Sequence, residues 1–117
     1  MINFICYKKC TTCQKAAKFL REAGIDFTER DYTEQPLSIQ EITKLYKDSG
    51  LPLTRLFNTS GQIYRQQNIK EKLPNLTEVE QIKLLSENPK LIKRPILQTE
   101  NKILIGFKEN EYKELVK

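Results

Sequence analysis

Ile2-Asn3-Phe4-Ile5-Cys6-Tyr7, followed by Lys8-Lys9 and then by Cys10-Thr11-Thr12-Cys13 at the head of a helical pattern, is the stretch on which the fold turns. Its first six residues are mostly apolar, rich in strand formers and too few for a buried helix, so they read as a β-strand that ends at a basic turn. From about Thr11 to Ala23 the apolar positions Ala16, Ala17, Leu20 and Ala23 recur at helical spacing, and Gly24 stands where a left-handed C-terminal cap belongs. Residues Ile25 to Tyr32 then alternate apolar and polar with period two, which predicts a second strand. Strand, helix, strand is a βαβ unit. Its crossover makes the two strands parallel and places the residues after strand one at the carboxyl edge of the sheet, where α/β sites lie.

Beyond this unit the pattern turns helical. Ser38-Ile39-Gln40-Glu41 fits a capping box, Ile42, Leu45 and Tyr46 continue one face, and Gly50 is the stop. Leu53 through Asn68 reads as short helical turns around Asn58-Thr59-Ser60-Gly61. A second box, Thr77-Glu78-Val79-Glu80, opens a helix with Ile82 and Leu85 inward, closed by Asn88-Pro89. Pro95 to Thr99, a turn at Glu100-Asn101, and Lys102 to Phe107 predict a hairpin, and Glu109 to Lys117 a closing helix. The expected fold class is α/β, a single domain over residues 1–117 with a helical insertion at about 36–90 between strands two and three.

The composition narrows the function classes. A chain of 117 residues is about one domain. No apolar run approaches the roughly 20 residues of a spanning helix, and the N-terminus lacks the features of a secretory signal, so the expectation is a soluble, cytoplasmic protein without membrane contact. Twenty Lys and Arg against fifteen Asp and Glu give a net charge of +5, but the positive charges are dispersed, and no direct nucleic-acid contact is expected. There is no His, so any chemistry must run without imidazole as base, ligand or pH switch. Three cysteines with no secretory signal cannot form a disulfide framework, and their clustering at Cys6, Cys10 and Cys13 calls for another account.

Cys10-x-x-Cys13 between a strand and a helix puts Cys10 at the helix N-terminus, facing unpaired backbone N–H groups. The dipole, those donors and the nearby Lys8 and Lys9 favour a thiolate, which predicts a Cys10 pKa below the free value of about 8.5. Cys13, one turn inward, is placed to resolve a mixed disulfide at Cys10 as an intramolecular Cys10–Cys13 bond. Two other readings stand beside this one: a zinc site, which without His would need a carboxylate to complete it, and a pair of inert buried thiols. The expectation is no metal. Cys6, inside the apolar strand, reads as a small packed hydrophobe. Arg94-Pro95 admits two readings, an edge-strand proline or a cis-proline loop that faces the cysteines and aims Arg94 at the thiolate.

Cys10-x-x-Cys13 after a first strand, Leu56 to Gly61, Leu91-Ile92-Lys93-Arg94-Pro95-Ile96 and Gly106-Phe107-Lys108 together resemble the ArsC/Spx family over nearly the whole chain. The resemblance implies a thioredoxin-like fold with a helical insertion between the second and third strands. It also implies that Cys10 is the nucleophile, Arg94 an anion-binding arginine and Pro95 cis. The family includes glutaredoxin-coupled arsenate reductases, the transcriptional regulator Spx and small relatives named after the reductases, and this chain looks most like the last group. The arsenate reductases hold the oxyanion with three arginines and generally lack the second cysteine. Here Arg94 matches one of the three, the other places read about Asn58 and Phe107 or Lys108, and Arg55 lies several residues off register.

The function expected is a thiol–disulfide oxidoreductase of this family, acting on a small oxyanion or disulfide. It would bind no cofactor and would be recharged by an external thiol donor, glutathione with glutaredoxin or thioredoxin, so that a redox protein is a partner. The second reading is a redox-sensing regulator like Spx that binds the C-terminal domain of the RNA polymerase α subunit. The chain is shorter at its C-terminus than Spx, and Ser49-Gly50-Leu51-Pro52 departs from the Spx pattern.

Overall fold

The computed structural model describes residues 2–116. The chain divides into two compact units, residues 2–35 with 94–116 and residues 36–93. The first holds the sheet. Strand β1 (Asn3–Cys6) lies between β2 (Thr28–Asp31) and β3 (Ile96–Gln98), and β4 (Ile103–Ile105) extends the sheet to the order β2-β1-β3-β4. β1 and β2 run parallel, with Asn3 opposite Thr28 and Cys6 opposite Asp31, and β1–β3 and β3–β4 are antiparallel. This is the thioredoxin-like order, with the helical segment inserted between β2 and β3.

Helix α1 (Thr11–Glu22) is the crossover. It ends in a Schellman motif: Gly24 N–H reaches Arg21 O at 3.1 Å, Ile25 N–H reaches Leu20 O at 3.0 Å, and Gly24 takes φ +73°. Its buried stripe is Cys13, Ala16, Ala17 and Leu20, and the two alanines let the helix lie close against the sheet. Phe4, Cys6, Leu97, Leu104 and Tyr112 complete that core. β2 begins at Thr28, three residues later than the alternation suggests. It is an edge strand that pairs only with the four residues of β1, so Ile25 and Phe27 pack half-buried against the core without joining the ladder. The last helix, α6 (Glu109–Lys113), tightens into a 3-10 turn over Glu114–Val116, and Lys117 lies outside the described residues.

The second unit is helical. α2 (Ile39–Ser49) and α5 (Glu78–Glu87) each open on a complete capping box, Ser38 with Glu41 and Thr77 with Glu80. Gly50 ends α2 at φ +68°. Between them run a 3-10 turn at Leu53–Leu56, α3 (Gln62–Gln66), α4 (Ile69–Lys72) and a 3-10 turn at Leu73–Asn75. Ile42, Leu45, Leu56, Phe57, Ile69, Ile82, Leu85, Leu91 and Ile92 are buried. Asn58 N–H to Leu91 O and Lys93 N–H to Leu56 O, both 2.7 Å, knit the Phe57–Ile92 bridge. No helix among the described residues is long and apolar enough to cross a membrane.

Candidate active site

The loop after β1 is held at three points. Cys10 N–H bonds Tyr7 O at 2.9 Å, Gln14 Nε2 donates to Lys8 O at 2.9 Å, and Lys8 N–H donates to Asp31 Oδ2 at 3.1 Å. Asp31, nearly buried at the end of β2, also accepts from Thr33 N–H at 2.8 Å and from the Thr33 hydroxyl at 2.6 Å. Burial works against its charge, but the Thr33 and Lys8 donors prevail and hold the carboxyl below its ordinary pKa. Asp31 therefore ties the cysteine loop to the neighbouring strand. The sequence carries a signal for this in Asp31-Tyr32-Thr33, an Asx turn at a strand end, which the periodicity reading passed over.

Cys10 is the N-cap of α1 and is half-buried. Burial alone would raise its pKa, yet the thiol is held below its ordinary value. The leading cause is a hydrogen bond from the Arg94 side chain, with support from the backbone N–H groups of Cys13 and Thr12 and from the Cys13 thiol. The Cys10 side chain closes no cap hydrogen bond, so those N–H groups act at longer range. The lowered pKa expected for Cys10 is present, but the cation behind it is Arg94. Lys8 and Lys9, adjacent in sequence, are exposed, and neither is a leading influence on Cys10.

Cys13 is the opposite case. It is 2% exposed, and burial, partly offset by the Tyr7 N–H that reaches its sulphur at 3.5 Å, pushes its pKa up to about 12. The two thiols are close and not bonded. Cys6, 1% exposed, is likewise pushed to about 12, by burial first and then by the charges of Glu29 and Asp31.

Arg94 is fixed from two further sides. Its Nη1 donates to the Tyr32 hydroxyl at 3.0 Å, and its guanidinium lies 5.3 Å from the centre of the Tyr7 ring. Tyr32 is fully buried. The Arg94–Pro95 bond is cis, Pro95 is buried, and Pro95 O accepts from Gly106 N–H at 2.8 Å, so the cis loop, not the plain edge proline, is what the chain contains. Tyr7 and Tyr32, which orient the guanidinium, were not singled out from sequence. Among the described residues no group of three or more Cys, Asp or Glu side chains is arranged to hold a metal ion. Cys10, Cys13, Arg94 and Pro95 thus meet at the carboxyl end of β1, while Asn58 and Arg55 belong to the helical unit.

The ArsC family profile matches residues 6–115. The chain belongs to the ArsC family. It is 46% identical to the uncharacterized protein YusI of Bacillus subtilis, over 97% of this chain and 96% of that one. It is 28% identical to the global transcriptional regulator Spx of the same organism, over 99% of this chain and 87% of Spx. Among solved structures, an ArsC family related protein from Bacteroides fragilis superposes with a TM-score of 0.92 at 43% identity, covering 97% of this chain and 96% of that one. A protein named as a regulator and one named only for the ArsC family are thus both similar to this chain, whose fold is of the thiol-oxidoreductase type.

Proposed function

We propose that the chain is a cytoplasmic thiol–disulfide oxidoreductase in which Cys10 is the nucleophile and Cys13 the resolving thiol. The asymmetry of the pair carries this reading: an accessible sulphur whose charge is favoured by Arg94, beside a buried sulphur held protonated. In the first step the Cys10 thiolate attacks a small disulfide, a Cys10 mixed disulfide forms, and one substrate thiolate leaves. The negative charge of Cys10 is one of the influences that hold Cys13 protonated, and the first step removes it. Cys13 then gives up its proton and attacks the Cys10 sulphur, forming Cys10–Cys13 and expelling the second thiolate. Two equivalents of an external thiol, from glutathione with glutaredoxin or from thioredoxin, restore the dithiol. With an oxyanion substrate Arg94 would supply the positive charge, as one arginine where the arsenate reductases hold three.

The test is thiol trapping with intact-mass measurement across a graded glutathione buffer. A reversible loss of two hydrogens in the wild type, absent in Cys13→Ser, is expected, and its absence at any poise overturns the dithiol mechanism. Cys10→Ser should abolish turnover. The 28% identity to Spx over 99% of the chain favours a second reading, a redox-sensing protein that binds the RNA polymerase α C-terminal domain. Saturable binding to that domain without multiple-turnover reduction would select it.

A further inference from the structure

Cys6 has no part in the mechanism above, yet it is not buried in featureless core. It and Cys13 line one cavity of about 200 Å³ between the sheet and α1, together with Phe4, Gln14 and Ala17. Cys10 is not among the lining residues. Phe4 and Cys6, two apart on β1, share a face of the sheet and belong to the same buried cluster as Cys13, Ala16 and Ala17. The Tyr7 N–H that touches the Cys13 sulphur at 3.5 Å belongs to the peptide unit leaving Cys6. By the fixed dimensions of that unit, the Cys13 sulphur lies within about 6 Å of the Cys6 Cα. The two side chains thus stand as neighbours on facing elements, and the cavity they share gives them room to turn toward one another.

We propose that Cys6 is a third redox thiol, and that a disulfide first formed between Cys10 and Cys13 migrates across this cavity to Cys6–Cys13, returning Cys10 to its thiolate. The inference rests on the dithiol reading above. In the step, the Cys6 thiol gives its proton to water and its sulphur attacks the Cys13 sulphur from the cavity side. The Cys6–Cys13 bond forms as Cys10–Cys13 breaks, and the bonding electron pair departs on Cys10. The exchange consumes no oxidant or reductant and releases one proton.

Two chemical considerations set its direction. The thiol that ionises most readily is the better leaving group, and here that is Cys10, whose anion Arg94 and the helix N–H groups await. A disulfide between thiols that resist ionisation is also the harder one to reduce, because the dithiol it would give gains nothing from a stabilised thiolate. Both Cys6 and Cys13 are of that kind. The same reluctance of Cys6 to ionise makes the migration slow and accelerated by alkali. The chain would thus pass from a quickly formed outer disulfide to a slowly formed inner one that keeps the nucleophile armed.

The outcome is visible without a variant. The wild-type chain is oxidised with one equivalent of diamide, which accepts two hydrogens per disulfide formed, then held for increasing times and treated natively with iodoacetamide. Chains two hydrogens lighter that carry one alkyl group should accumulate with time and faster at higher pH, with the alkyl group mapping to Cys10 and the disulfide to Cys6–Cys13. Cys6→Ala should form the outer disulfide and take up no alkyl group afterwards. A wild-type disulfide that maps to Cys10–Cys13 at every time, with no alkylation regained, overturns the migration and leaves the dithiol mechanism standing. No loss of two hydrogens at all overturns both.

Discussion

The helix that carries the site and the two long helices of the inserted unit begin in opposite ways. α2 and α5 satisfy their first N–H groups with Ser38 and Thr77, and each adds a glutamate that bonds back to the cap backbone. α1 opens on Cys10, closes no side-chain cap bond and has no acidic residue in its first turn. A hydroxyl cap typically contributes about 1 kcal/mol, and an acid in the first turn about 0.3–1 kcal/mol. α1 forgoes both, and its free N–H groups help favour the Cys10 thiolate instead. Where the chain needs only a helix it uses the strongest local start signal, and where it needs a nucleophile it leaves the helix start to the sulphur.

The largest effect on that contrast should come from Arg94→Ala. Removing the guanidinium deprives the thiolate of its leading support, so the pH midpoint of Cys10 alkylation moves up and alkylation at neutral pH slows. Arg94→Lys should recover only part of it, because a lysine cannot reach Tyr32 and the sulphur with one planar fork. An unchanged pH profile in Arg94→Ala would leave the helix N-terminus as the whole cause.

Next in size is Asp31→Ala, which strands the Lys8 and Thr33 donors and should cost about 1–3 kcal/mol in denaturant unfolding. Because the folded-state pKa of Asp31 is depressed, its contribution is fully present above the unfolded carboxylate value, near 4, and is lost as pH falls through the lower folded value. The stability difference between wild type and Asp31→Ala should therefore shrink in acid, and a difference that stays constant below pH 4 would contradict the ionised role.

Ser38→Ala and Thr77→Ala should each lower stability by about 1 kcal/mol and leave the alkylation profile of Cys10 where it is. The smallest and sharpest test is Thr11→Glu, which gives α1 the first-turn acid it lacks. It should stabilise the fold by a few tenths of a kcal/mol while moving the Cys10 alkylation midpoint up, since a carboxylate competes for the same N–H groups and opposes the thiolate. If stability and thiol acidity instead rise together in Thr11→Glu, the opposition drawn between α1 and the boxed helices fails.

What could be read from the sequence follows the range of the interactions involved. Capping boxes, the Gly24 and Gly50 stops and the Cys-x-x-Cys turn are set by residues within four positions of one another, and each lies where its spacing puts it. α4 and the turn after it were invisible because Ile69 and Leu73 are a single helical spacing followed by Pro74, too short a pattern to register. The start of β2 depends on the length of its partner, which no alternation within β2 encodes. The electrostatics misled for the same reason: Lys8 and Lys9 are near Cys10 along the chain, whereas the cation that matters arrives from residue 94. Local pattern left Arg94-Pro95 open between an edge-strand proline and a cis loop facing the cysteines, and family resemblance chose the second, which the cis bond bears out.

The antiparallel register of β1 with β3 sets Ile5 opposite Ile96, one residue before Cys6 and one after Pro95. During synthesis the first strand, the crossover helix and the second strand all emerge before that pairing can form, and closing so long a loop is a late and entropically costly event. Until it closes, Cys10 sits at a helix start without the guanidinium that gives its thiolate the leading support. Its full reactivity thus reports that residue 94 has reached the first strand, and a rise in the rate of Cys10 alkylation times that moment on a nascent or refolding chain.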